Sequence, residues 1–146
     1  MPISCEPDEQ VLVSACLAGQ RCRYDGQASP HPEVLRLVEL GRAVPVCPEL
    51  LGGLGVPREP VELRCGRALC RSGADVTEAF ETGAQLALAL ARARGCRQAV
   101  LKARSPSCGV GRIYDGSFSQ RLVPGDGVLA ALCKAHGIAV KSEEEL

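Results

Sequence analysis

Tryptophan is absent from this chain, and two tyrosines and two phenylalanines bring the aromatic content of its 146 residues to only 3%. So few rings argue against a stacking platform for single-stranded nucleic acid. Charge of one sign is lacking too. Seventeen basic and seventeen acidic side chains cancel, so no net field draws the protein to nucleic acid or to an anionic membrane. Local basic patches stay open, because arginines recur around Arg21, Arg64 and Arg104. No apolar run approaches membrane-spanning length. The opening MPISCEPDEQ has neither the basic stretch nor the apolar core of a secretory signal. A soluble, cytoplasmic protein without membrane partners is expected. C-x-x-C pairs are missing as well, which removes a thioredoxin-type motif and any zinc knuckle readable from local spacing.

What the chain does have is cysteine. Nine in 146 residues is an odd count in a chain long enough to build its own core. In a reducing compartment such an excess points to metal binding, redox chemistry or inert burial rather than to disulfides. Three of the nine share a context. Cys16 follows the apolar run Val11 to Val13, Cys47 follows Val44 and Val46, and Cys108 follows the run that climbs to Leu101, within RSPSCG. Each apolar run ends in a turn that carries a cysteine.

The hydrophobic pattern alternates strand and helix. Strands are predicted over Val11 to Ser14, Ala43 to Val46, Val61 to Leu63, Gln98 to Ala103 and Ile138 to Val140. Helices are predicted over HPEVLRLVELG, closed by Gly41, and over Gly127 to His136. GADVTEAFETGAQLALALARARG carries the clearest helix signal: Phe80, Ala84, Leu88 and Ala91 share one face, Asp75 and Glu78 have capping-box spacing, and Gly95 stops it. ELLGGLGVPREP reads as a surface loop, and its Gly52, Gly53 and Gly55 match neither a P-loop nor a dinucleotide fingerprint. Strands separated by helices imply one α/β domain over 1–146, with residues 1–9 as a flexible N-terminus. Its mainly parallel sheet would be flanked by helices in a Rossmann-like three-layer arrangement. Such sheets bind ligands at the carboxyl ends of their strands, where Cys16, Cys47 and Cys108 would converge.

Three thiolates without a nearby fourth suit a metal centre with one open coordination position, either an iron–sulfur cluster or zinc. Spacing leaves the two open. Cys22, six residues after Cys16, is either a fourth ligand or a resolving thiol. Cys96, Cys133 and Cys70, in or beside helical segments, read as buried small hydrophobes, and Cys5 sits in the N-terminal segment. Glu49, two residues after Cys47, could act as general base if the crevice raises its pKa. Ser105 and Ser107 either shape the turn around Pro106 or donate to a ligand. Arg23 and Ser107 are expected to contact substrate. His31, before a helix, and His136, at a helix end, have structural explanations.

Five segments, VSACLAGQRCRYDG, VPVCPELLGGLGVPREPVEL, GADVTEAFETGA, LKARSPSCGVGRIYDGSF and PGDGVLAALCKAHGIAV, follow the order of a bacterial domain-of-unknown-function family that includes the 2-thiouracil desulfidases. The chain resembles that family from Val11 to Glu143, and the C-P-E and S-P-S-C-G motifs are specific to it. The resemblance implies an α/β fold with a [4Fe-4S] cluster held by Cys16, Cys47 and Cys108, whose fourth iron binds a thiocarbonyl sulfur. It implies Glu49 and Ser105 as the assisting residues. The activity implied is removal of sulfur from a small thiolated heterocycle such as 2-thiouracil. Two alternatives stand beside it: a non-catalytic iron–sulfur or zinc module closed by Cys22, and a desulfidase of thiolated RNA nucleosides. A homodimer is left open.

Overall fold

The computed structural model describes residues 9–146; residues 1–8, with Cys5 and nearly all of the segment expected to be flexible, lie outside the described residues. Along the chain run β1 (Val11–Ser14), α1 (Pro32–Glu39), β2 (Ala43–Val46), α2 (Pro48–Leu51), β3 (Val61–Arg64) and β4 (Arg67–Cys70). They are followed by α3 (Thr77–Ala93), β5 (Gln98–Leu101), β6 (Arg112–Tyr114), β7 (Leu122–Pro124), α4 (Val128–Ala135) and β8 (Ala139–Ser142). The central sheet has the order β2-β1-β5-β8 and is parallel throughout. Pro45 falls on β2, at the sheet edge, where its missing N–H costs no ladder bond.

The central strands β1 and β5 are buried on both faces, and their period of two sorts their side chains between two helical layers. Val11, Val13 and Val100 pack with Val34 and Leu37 of α1. Leu12, Ala99 and Leu101 pack on the other side with Ala84 and Leu88 of α3 and with Leu129 and Cys133 of α4. Each fully buried Val or Leu contributes about 1.5–3 kcal/mol. The result is the three-layer α/β arrangement that the alternating pattern implies. No helix among the described residues is long and apolar enough to cross a membrane.

Several details differ from the sequence reading. β4, β6 and β7 are additional strands: β3 pairs with β4 and β6 with β7 as two antiparallel hairpins outside the main sheet. Cys70 therefore lies in a strand, packed against Phe80 of α3. The capping box at Asp75 is not formed. The helix begins at Thr77 because Asp75 Oδ1 accepts the Thr77 N–H at 2.9 Å, one position too early for reciprocal capping. Nor is ELLGGLGVPREP all loop, since its start winds into α2.

That short helix matters because it carries Cys47 at its N-cap and Glu49 in its first turn. It lies almost in contact with the α3 backbone. A Cβ on Gly83 would sit 1.8 Å from the Pro48 carbonyl oxygen, and one on Gly52 would sit 2.0 Å from the Ala79 carbonyl oxygen. Two glycines thus let a four-residue helix rest directly on α3, which holds Cys47 and Glu49 in place. Gly83→Ala is expected to push α2 outward and to cost about 1–3 kcal/mol of stability by overpacking, read as a lowered denaturant midpoint with unchanged slope.

Candidate active site

Parallel register brings the carboxyl ends of three strands together. Ser14 at the end of β1 lies beside Val46 at the end of β2, and Val13 lies beside Val100 of β5. After β1 a 3-10 turn, Ala15–Ala18, carries Cys16. After β2 the chain passes at once through Cys47 into α2. After β5 the turn of RSPSCG carries Cys108, and the N-terminal edge of α4 holds that turn in place. The N–H groups of Val128 and Leu129 donate to the carbonyls of Pro106 and Ser107 at 2.9 and 2.8 Å. Ser105 Oγ accepts the N–H groups of Ser107 and Cys108, both at 3.1 Å. Gly109 follows because a Cβ there would lie 2.6 Å from the Ser105 carbonyl oxygen. The cysteine is placed by a turn whose every neighbour is specified.

These elements surround a cavity of about 440 Å³ lined by Cys16, Cys22, Cys47 and Cys108, with Glu49 and Ser105 beside them. Arg23 also lines it, its guanidinium tied to Asp25 and to Ser29 Oγ, both at 2.9 Å. Ser107 is the exception among the expected site residues. It is 1% exposed and absent from the cavity lining, and its hydroxyl donates to Glu49 Oε2 at 3.3 Å. It stands behind Glu49 rather than facing a ligand.

Two groups that sequence reasoning overlooked complete the site. Arg58 Nε donates to Glu49 Oε1 at 3.0 Å, in a pair whose side chains are only 9% and 14% exposed. Its other nitrogens donate to the carbonyls of Cys22 at 2.9 Å and Gly55 at 3.1 Å. Ser14, buried at the end of β1, accepts the Lys102 N–H at 2.8 Å and lines the cavity with Cys108. An arginine among the prolines of VPREP and a lone serine ending an apolar strand were the available signals. With both oxygens of Glu49 engaged once, each retains a lone pair to accept a further proton or hydrogen bond. Arg58→Ala is expected to strand the Glu49 carboxylate in a nearly buried site. The cost should be about 3–5 kcal/mol, the range for removing one member of a buried pair, measurable by equilibrium unfolding.

The Cys22, Cys47 and Cys108 thiols are held neutral by their surroundings. Burial pushes Cys108 up to about 12, against the pull of the Ser14 and Ser105 hydroxyls, and the nearby Glu49 charge adds to the rise. Cys22 is pushed up to about 11, first by its hydrogen bond to Cys16. Cys47 is raised by its bond to Cys22 and by burial. A bound cation reverses this balance, because it stabilises thiolate directly. The donor set, four thiols on one cavity, suits a soft metal. No three His, Cys, Asp or Glu side chains among the described residues are grouped to hold a single metal ion. The thiols of Cys16, Cys22, Cys47 and Cys108 instead share the lining of one cavity of about 440 Å³.

The same architecture recurs in known proteins. The family model described as 2-thiouracil desulfurase matches residues 11–145. The chain belongs to that family. Its relatives within reach of this desulfurase fold include the uncharacterized protein YbbK of Bacillus subtilis (strain 168), 44% identical over 93% of this chain and 97% of that protein. Among solved structures, the [4Fe-4S]-dependent thiouracil desulfidase TudS (DUF523Vcz) is 48% identical. It superposes with a TM-score of 0.90 over 94% of this chain and 93% of that one.

Proposed function

We propose that this desulfurase-family chain removes sulfur from a thiolated nucleobase such as 2-thiouracil, giving uracil and sulfide, at a [4Fe-4S] cluster held by Cys16, Cys47 and Cys108. The observation that carries the reading is the convergence of those cysteines with Glu49 and Ser105 on one cavity, in a chain similar to a [4Fe-4S]-dependent thiouracil desulfidase. When bound, the cluster supplies soft iron that attracts a thiocarbonyl sulfur and polarises the carbon bonded to it.

The chain's own residues do the rest. Glu49, oriented by Arg58 and Ser107, takes a proton from water as the water oxygen bonds to that carbon. Ser105 Oγ already accepts two backbone N–H groups, which leaves its O–H to donate, beside the Cys108 sulfur, toward the departing sulfur. Water enters, C=S becomes C=O, and sulfide leaves with the two protons. No electron is gained or lost, so no external reductant is needed.

Four of the five basic side chains lining the cavity are paired with carboxylates: Arg23, Arg58, Lys102 and Arg104 with Asp25, Glu49, Glu143 and Glu144. That neutralisation favours a small neutral base over a thiolated RNA, which needs a basic face. The protein reconstituted anaerobically with iron and sulfide is expected to convert 2-thiouracil to uracil and sulfide in equal amounts. A fully loaded cluster without turnover would count against the desulfidase reading.

One observation favours a second reading. Cys22 lines the same cavity as the other three cysteines, and the Cys47 thiol donates to the Cys22 carbonyl at 3.7 Å, which brings Cys22 near enough to close the site as a fourth ligand of a non-catalytic module. Its contribution is decided by the substitution considered with the ligand cysteines below.

A further inference from the structure

We propose that Phe118 is the stacking residue through which this site selects a flat aromatic ring, so that the ligand class is a thiolated heterocycle rather than any compound bearing a thiocarbonyl. The proposal rests on the thiolated-base reading and deepens it. The chain has two tyrosines, two phenylalanines and no tryptophan. Phe80 is fully buried in the core beneath β3 and β4. The other three, Tyr24, Tyr114 and Phe118, all line the cavity that holds the cysteines. In so aromatic-poor a chain, this concentration places three of the four rings where a ligand would lie.

Phe118 is the most heavily constrained of the three. It sits in the loop between β6 and β7 with φ of +57°, and Gln120, also lining the cavity, has φ of +63°. Bulky L-residues rarely adopt that left-handed conformation, and such residues cluster where function holds them. Two contacts hold this one. Glu62 Oε1 accepts the N–H groups of both Gly116 and Phe118 at 3.0 Å, tying the loop to β3. The Arg71 guanidinium lies 5.5 Å from the Phe118 ring centroid, a cation–π distance that pins the ring at the cavity wall. Strand, carboxylate and guanidinium together present one ring to the cavity, and a fixed ring stacks on a flat base at little entropic cost.

Uracil separates this role from sulfur binding, because it keeps the ring and lacks the sulfur. Calorimetric titration of uracil into the reconstituted holoprotein is expected to show binding that weakens about tenfold in Phe118→Leu, the scale of losing one base–aromatic stack. Phe118→Tyr should restore it. Phe118→Met is a second aliphatic variant should leucine disturb the loop, and unchanged cluster absorbance checks the site in each. With 2-thiouracil, KM should rise by a similar factor while kcat changes less. Uracil binding that is equal in wild type and both aliphatic variants, or absent from wild type, overturns the proposal. A wild type that binds uracil through Phe118 yet leaves 2-thiouracil intact would uphold the stacking role and sink the desulfidase reading instead.

Discussion

Serine in place of Cys108 is expected to yield a protein that stays colourless after anaerobic reconstitution, with the broad iron–sulfur absorption absent and bound iron near zero. The hydroxyl is a hard, weakly acidic donor where soft iron requires thiolate. Of the three proposed ligands, Cys108 has the most specific surroundings. It is buried and delivered by a turn that α4 holds, and its N–H donates to Ser105 Oγ. Cys16→Ser and Cys47→Ser should behave the same way. Cys65→Ser, in the exposed β3–β4 turn, and Cys70→Ser, in β4, should keep the colour. So should Cys96→Ser and Cys133→Ser, although Cys133 is fully buried in the core and its replacement will cost stability. Full cluster content in Cys108→Ser would remove that residue from the ligand set. Cys22→Ser is the discriminating member of the series. Retained colour and turnover leave the site open, whereas loss of the cluster makes Cys22 the fourth ligand and supports the non-catalytic module.

A second large effect is expected at Glu49. In Glu49→Gln the amide oxygen can still accept from Arg58, and the amide nitrogen can donate to the Ser107 hydroxyl oxygen, so the shape of the site survives. What disappears is a group that can take a proton. Turnover should fall by about 10²–10⁴-fold, the usual contribution of a positioned acid or base, with normal cluster absorption and little change in KM. Ser105→Ala should lower turnover less, because water can replace a hydroxyl. Ser107→Ala should act only through the orientation of Glu49, since its side chain does not face the cavity. Full activity of Glu49→Gln with its cluster intact would show that another group activates the water.

Much of the fold was legible because it is written locally. Val11 to Val13, Val44 with Val46 and Ala99 to Leu101 are short apolar runs bounded by turns, and each is a buried parallel strand. The stripe of Phe80, Ala84, Leu88 and Ala91 at helical spacing is the buried face of α3. The hairpins were not legible in the same way. Arg112 to Tyr114 and Leu122 to Pro124 are three residues each and only partly buried, too short for a period of two to declare itself. The start of α2 was hidden by its glycines, which read as turn formers. Gly52 instead lies against Ala79, and its neighbour across the interface, Gly83, against Pro48.

The sequence by itself singled out the residues proposed to bear the chemistry: the cysteines that end three strands, the glutamate two places after one of them, and the serine turn around another. A strand's end and the residue type that follows it are properties of a few neighbouring positions, and they survive without knowledge of the fold. Only the tertiary structure decided how those residues are partnered. Arg58 reaches Glu49 and the Cys22 carbonyl from a separate loop, Ser14 reaches the Lys102 N–H across the sheet, and Ser107 turns away from the cavity to hold Glu49. Composition alone even pointed away from stacking, because a count of rings carries no information about where they lie. Packing gathered three of the four around one cavity. Contacts between residues far apart in the chain depend on how whole layers dock, and no short stretch of sequence records that.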